Sequence, residues 1–198
     1  MKTIKDKQIL VAADFAGVDL KDAVVAHLQE NGWTVTDIGV KKDDPNPPEM
    51  FHHIGLKVGA KIAEREFERA ILFCGTGMGI HIAASKCPHV HAAVVESIPA
   101  ALRCITGNNC NVISMGGSYV APAMGIDIAD AFLYNNLGDG YEWWPGFYEF
   151  HKYAYDELDN FDYETFKKNG FTFPDSIEMQ LESCPKPDVL KSAKTNVK

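Results

Sequence analysis

The stretch Cys74-Gly75-Thr76-Gly77-Met78-Gly79 has residue types and spacing that could do chemistry. A thiol stands at the end of a short apolar run, Ala70 to Phe73, and three glycines alternate over the next five positions. A helical pattern follows from Ile80 to Lys86. Strand, glycine-rich turn and helix in that order make an anion cradle, because glycines let the backbone approach a ligand and the N–H groups that open a helix carry partial positive charge. The spacing G-x-G-x-G is not a dinucleotide fingerprint, and without a following Gly-Lys-Ser/Thr it is not a P-loop. Cys74 falls at the carboxyl end of a strand, where open α/β sheets bind their ligands. There a thiol could serve as a base or a nucleophile. The plain alternative is a small buried hydrophobe, the usual role of a free cysteine.

Histidines are the other candidates. His52 and His53 stand near the start of a helix, and either could supply an acid–base group that titrates near neutral pH. A nucleophilic Cys74 would need a base within reach, and His52, His53 and His81 are the ones at hand. His89 and His91, one residue apart, have the look of a metal pair, but no third ligand accompanies them.

These residues need a scaffold. Gln8 to Ala13 is a short apolar strand ending at Asp14-Phe15-Ala16-Gly17. Leu20, Val24 and Leu28 recur every four residues, as on the buried face of a helix, with Gly32 as the residue that closes it. Trp33 to Ile38 alternates as a second strand. A helix beginning near Pro47 or Pro48 has Ile54, Val58 and Ile62 on its core face. Its charged end, Glu64 to Arg69, is expected to face solvent. After the cysteine–glycine unit come a strand at His91 to Val95, a helix around Pro99 to Cys104, a strand at Asn111 to Met115 and a helix from Pro122 to Leu133. Strands alternating with helices predict a doubly wound, Rossmann-like three-layer α/β sandwich with a five-stranded parallel sheet.

Composition changes at Tyr134. Residues 1–135 are expected to form the core domain and 136–198 a C-terminal extension. The extension is dense in Tyr, Phe and Trp to about Phe173, including Trp143-Trp144. Such residues bury large areas, so this arm is expected to pack on the core or on a partner subunit; an aromatic ligand box is the alternative. The stretch from Cys184 is rich in Lys and Pro and is expected to fray.

The chain has 198 residues, and its formal net charge of −8 argues against nucleic-acid or acidic-membrane binding. Its five cysteines form no C-x-x-C pair, which points to free thiols in a reducing compartment. The first residues contain no apolar region of signal-peptide length, and a cytoplasmic protein is expected.

Taken together, four pieces resemble the ribose-5-phosphate isomerase B / galactose-6-phosphate isomerase family, over about Ile9 to Leu133. Asp14-Phe15-Ala16-Gly17 is similar to that family's Asp-His-Ala-Gly. Cys74-Gly75-Thr76-Gly77-Met78-Gly79, followed by Ile82-Ala83-Ala84-Ser85-Lys86, resembles its Cys-Gly-Thr-Gly-x-Gly and Ile-Ala-Ala-Asn-Lys. Gly107-Asn108-Asn109 sits at its His-Asn-Asp, and Asn111-Val112 with Gly116 continues the match. The resemblance implies an aldose–ketose isomerase working through an enediolate. Cys74 would be the proton-transferring base, with Thr76 assisting at the substrate oxygens. Backbone N–H groups from Gly75 through Gly77 and Met78 to Gly79 would hold the oxyanion, and Asp14, beside Phe15, would bind sugar hydroxyls. It also implies a homodimer with sites at the interface, Asn108 coming from the neighbouring chain, and no metal or organic cofactor.

The chain departs from the family at defined places. Phe15 replaces a histidine, and the family's ring-opening histidine falls at Gly107. Ser118 stands at an arginine position, and the later phosphate-binding arginines would fall between Glu142 and Gly146, which has none. These departures imply a sugar other than a phosphorylated pentose, either unphosphorylated or acyclic, such as a short tetrose that needs no ring opening. Arg103 or Lys86 could still contact a phosphate, and His52 or His53 could replace a lost acid–base group. The rival expectation is a catalytically silent sugar-binding relative or subunit partner of the same fold.

Overall fold

The computed structural model describes residues 1–44 and 48–174. Pro47, Cys184 and the Lys- and Pro-rich end named above lie outside the described residues. The core alternates strand and helix: β1 (Gln8–Ala13), α1 (Val18–Glu30), β2 (Thr34–Asp37), α2 (Phe51–Ala63), β3 (Ala70–Cys74), α3 (Met78–Ala84), β4 (Ala92–Val94), α4 (Ile98–Thr106), β5 (Val112–Gly116) and α5 (Pro122–Leu133). Two further helices follow, α6 (Phe147–Asp159) and α7 (Tyr163–Lys168).

The five strands form one parallel sheet in the order β2-β1-β3-β5-β4. Strands β3 and β5 are buried along their whole length, as strands covered by helices on both faces should be; β3 is apolar throughout, and β5 is broken only by the buried Ser114. One helical layer packs α1 on α5 and α5 on α4; the other packs α2 on α3. The second pair approaches closely because Gly55 and Gly59 have no side chain. A Cβ on Gly55 would stand 2.6 Å from the Ile80 carbonyl oxygen, and one on Gly59 would stand 2.6 Å from that of Ala84. The sheet order reverses between β1 and β3. Such a switch point is where open α/β sheets form a ligand crevice, and Asp14 and Cys74 stand there, at the carboxyl ends of these two strands.

Several boundaries shift from expectation. Helix α2 starts at Phe51, three residues past Pro48, with Met50 extended as its N-cap. Helix α3 starts at Met78 and not Ile80, because the left-handed Gly77 turns the chain straight into it. Strand β3 extends to Cys74, and β4 is shorter than the expected His91 to Val95.

One correction is larger. Residues 64–69 are a solvated helix end only in Glu64, Arg65 and Glu66, which are exposed. Helix α2 stops at Ala63, Arg65 takes a left-handed φ of 57°, and both Phe67 and Arg69 are buried. Arg69 Nη1 donates to the Phe132 and Asn135 carbonyls at 2.6 and 3.0 Å, closing the end of α5. Burial pushes its pKa down to about 10.

The aromatic arm is docked at particular points. Tyr141 stacks on Phe147, with ring centroids 3.7 Å apart. Phe147 is buried, but Tyr148, Phe161, Tyr163, Phe171 and Phe173 are exposed. The end of α6 is tied to the core through Asp159. Its carboxylate meets His91 Nε2 at 2.9 Å, His89 Nδ1 at 3.1 Å and Arg65 Nη2 at 3.3 Å. Among the described residues no helix is long and apolar enough to cross a membrane.

Candidate active site

The cysteine–glycine turn is built as its sequence requires. Cys74 ends β3 and is 4% exposed. Its Sγ accepts the Gly77 backbone N–H at 3.0 Å. Gly77 has a φ of 73°, which favours glycine, and a Cβ there would stand 2.9 Å from the Met115 carbonyl carbon. Thr76 Oγ1 accepts the Met78 N–H at 3.2 Å. Two N–H groups of the turn are therefore already engaged by Cys74 and Thr76. Gly75 lies against the turn after β5: its carbonyl accepts the Ser118 N–H at 3.0 Å.

Asp14 borders the same crevice from the end of β1. Its Oδ1 accepts the N–H groups of Ala16 and Gly17 at 2.9 and 3.0 Å. Both bonds go to one oxygen. Burial raises the Asp14 pKa, and the two backbone hydrogen bonds offset only part of that rise. Phe15 next to it is 70% exposed. It lines a cleft of ≈ 490 Å³ together with Val18, Lys41 and Lys42. Lys42 in that cleft is paired with Asp19 at 2.7 Å.

The first turn of α2 closes another side. The Phe51 ring covers Gly79, where a Cβ would stand 2.6 Å from its Cε2. His52 and His53 follow Phe51 on this turn, exposed, with ring centroids 4.2 Å apart. His81 is turned away: its Nε2 lies 3.2 Å from the Ala92 carbonyl. His89 and His91 converge on Asp159, as described above.

Asn108 is not in this crevice. It follows α4, at the end of the sheet where β5 begins. Val112 pairs with Ala70 at the start of β3, and Gly116 pairs with Cys74 at its end. The two sites are thus separated by the length of β5, roughly 13 Å at the usual rise per residue. Within one chain Asn108 belongs with a different set of residues. Its Nδ2 donates to the Arg103 carbonyl at 3.3 Å. The Arg103 guanidinium lies over the Tyr141 ring, 4.9 Å from its centroid, and Arg103 Nη1 is buried with no hydrogen-bond partner. Gly107 leaves room beside it: a Cβ there would stand 3.8 Å from Tyr141 Oη. Glu142, in the same arm, turns its carboxylate onto the Gly140 N–H at 3.2 Å.

Two of these features escaped the sequence. The cover of Phe51 over Gly79 had no local sign. The Arg103–Gly107 spacing of four did, since residues four apart share a helix face.

A family model described as Ribose/Galactose Isomerase matches residues 9–142. The chain belongs to that family. Among its relatives is a protein from Clostridium sp. (strain MSTE9) named 4-deoxy-4-sulfo-D-erythrose isomerase. It is 39% identical over 137 residues, which are 69% of this chain and 85% of the relative. A D-erythrulose-4-phosphate isomerase from Pectobacterium atrosepticum is 33% identical over 125 residues, 63% of this chain and 81% of the relative. Among solved structures, the ribose-5-phosphate isomerase B of Mycoplasma genitalium with bound ribulose-5-phosphate superposes with a TM-score of 0.66 at 29% identity. It covers 80% of this chain and 96% of that one. Residues 1–135 contain every strand of the shared sheet.

Proposed function

We propose that this member of the family is an aldose–ketose isomerase that moves a proton between C1 and C2 of a short, acyclic sugar through an enediolate. The observation that carries the proposal is Cys74 Sγ, fixed by the Gly77 N–H at the mouth of the β1/β3 crevice. As thiolate, Cys74 takes the C2 proton of the aldose and returns it to C1, while a proton passes from O2 to O1. Thr76 and the free N–H groups of the turn hold the oxygens, and Asp14 binds hydroxyls through Oδ2. His52 or His53, beside Phe51, carries the proton between the oxygens. General acid–base groups of this kind contribute about 10²- to 10⁴-fold each.

The substrate class follows from two supports. Gly107 has no side chain that could open a sugar ring. A tetrose whose C4 bears phosphate or sulfonate has no free 4-hydroxyl, so it cannot close a five-membered ring. The names of two relatives specify such tetroses. The proposed substrate is therefore a four-carbon sugar with an anionic group at C4.

The proposed unit is a homodimer, with the core at residues 1–135 and residues 136–198 as an extension. Asn108 lies at the wrong end of its own sheet for Cys74, so it serves the neighbouring chain. The crevice is rimmed by exposed apolar side chains that a second copy would cover, including Phe15, Met78 and Ile82. A cytoplasmic setting accords with the free thiols of Cys74, Cys87, Cys104 and Cys110.

The test is product analysis by NMR with D-erythrose 4-phosphate, 4-deoxy-4-sulfo-D-erythrose, ribose 5-phosphate and the matching free sugars. The expected result is ketose from the C4-anionic tetroses and little from the pentose. Conversion of ribose 5-phosphate at equal or greater kcat/KM would overturn the substrate class. Binding without conversion of any sugar would replace it with a silent relative.

A further inference from the structure

We propose that Arg103, supported by Tyr141, is the receptor for the terminal oxyanion of the substrate, and that it acts across the subunit interface on the sugar held at the partner's cradle. The proposal rests on the isomerase reading above and names the residue that would recognise the C4 group.

The protein has three arginines. Arg69 is held by the carbonyls at the end of α5, and Arg65 is paired with Asp159. Arg103 is different: its Nη1 is buried and makes no hydrogen bond. A buried donor left without an acceptor is costly, and a charged one more so. The Thr106 hydroxyl, in the same helical turn, is also buried without a partner. The guanidinium carbon lies over the Tyr141 ring, 4.9 Å from its centroid, and that ring is in turn stacked on Phe147. A guanidinium held over a ring still offers the planar fork of its N–H groups to two oxygens of a tetrahedral anion.

The surroundings admit an anion. Two carboxylates of the arm are engaged by their own turn: Glu142 accepts the Gly140 N–H and Asp139 accepts the Asn136 N–H, and neither is paired with Arg103. Gly107 adds no bulk one turn along α4 from Arg103, and the Tyr141 hydroxyl lies beside it. The Asn108 amide is bonded to the Arg103 carbonyl, so the two residues move together. Both stand at the end of the sheet opposite Cys74. If Asn108 reaches the partner's sugar, Arg103 and Tyr141 reach it as well. In a tetrose the anion is only two carbons beyond C2, so its receptor must lie beside the groups that hold the reacting carbons. A sulfonate and a phosphate share the required chemistry, three terminal oxygens on a tetrahedral centre.

Three measurements test this. The first compares Arg103→Met, which keeps the packing stem, with the unaltered protein on D-erythrose 4-phosphate, 4-deoxy-4-sulfo-D-erythrose and uncharged 4-deoxy-D-erythrose, which like them cannot close a five-membered ring. Loss of charged hydrogen bonds predicts a KM higher by about 10- to 100-fold on the two anionic sugars. Turnover of 4-deoxy-D-erythrose should change less than about threefold. A loss confined to one anionic sugar identifies which headgroup Arg103 serves. Equal losses on charged and uncharged sugars would overturn the proposal.

The second mixes Arg103→Met with Cys74→Ala after unfolding and refolding together. Each alone is impaired, but a mixed dimer has one site with both groups intact. Recovery to about a quarter of the original activity is expected. No recovery would overturn action across the interface.

The third uses inorganic sulfate alone and follows thermal stability. Sulfate should raise the Tm of the unaltered protein and not that of Arg103→Met. The same rise in both would overturn the anion site. If the unaltered protein isomerises no sugar, this sulfate measurement still decides the role of Arg103, so failure of the isomerase reading is told apart from failure of the receptor.

Discussion

The Gly77 backbone N–H donates to Cys74 Sγ at 3.0 Å, across a turn that only a left-handed residue can make. Gly77→Ala would place a methyl group 2.9 Å from the Met115 carbonyl carbon and strain the φ of 73°. The expected cost is about 2 kcal/mol of stability, with a loss of turnover larger than the stability change explains, because the sulfur loses its anchor. Thermal unfolding and steady-state kinetics on the same sample check both parts.

Asp14 separates binding from folding. In Asp14→Asn the amide oxygen can still accept the Ala16 and Gly17 N–H groups. The native carboxyl has its pKa raised by burial, so ionisation above the ordinary value of 3.8 costs the folded state stability. Removing that charge is therefore expected to leave Tm unchanged or slightly raised at neutral pH. Sugar binding should suffer, with kcat/KM down by about tenfold for one weakened hydrogen bond to a charged group. A fall in Tm together with unchanged kinetics would contradict this assignment.

Arg69 was legible only as a charge. Its neighbours in sequence are Glu64, Arg65, Glu66 and Glu68, and that local run reads as solvated. Its partners are carbonyls more than sixty residues away, at the end of α5, which no local pattern reports. Arg69→Met should cost about 2–4 kcal/mol, because two buried carbonyls lose their donor. Denaturant unfolding measures it, and a change below about 0.5 kcal/mol would show that water replaces the guanidinium.

The rest of the fold divides the same way. Strand β1 and helix α5 begin and end where an apolar run and an N-terminal proline place them. The positions of Asp14, Cys74 and Thr76 follow from one strand end and one turn each, so motif and geometry coincide. Arg103, Tyr141 and Asn108 come together only through the fold of residues 134–147 back onto α4, and the sequence shows neither the stacking nor the unpartnered Nη1. The aromatic arm was legible as a packing segment by composition, but its attachment through Asp159 was not.

That attachment predicts a pH response. Burial acts to raise the Asp159 pKa, but its contacts with His91 and His89 outweigh it, and the carboxyl lies below the ordinary 3.8. A carboxyl with a lowered pKa contributes its stabilisation above 3.8 and loses it as pH falls through the folded value. Docking of α6 should therefore hold from neutral pH down to about that value and weaken below it. Asp159→Asn should release the arm already at neutral pH. Limited proteolysis between the core and α6 reports both, and equal cleavage of the two proteins at pH 7 would contradict the latch.

The proposed role of Cys74 is to move a carbon-bound proton. It is tested by incubating the protein in heavy water with D-erythrose 4-phosphate or 4-deoxy-4-sulfo-D-erythrose and following the carbon next to the carbonyl by NMR. Deuterium is expected at that carbon with the unaltered protein, at a rate about 10²- to 10⁴-fold lower in Cys74→Ala. Undiminished exchange in Cys74→Ala, in protein that still folds and binds the sugar, would contradict it.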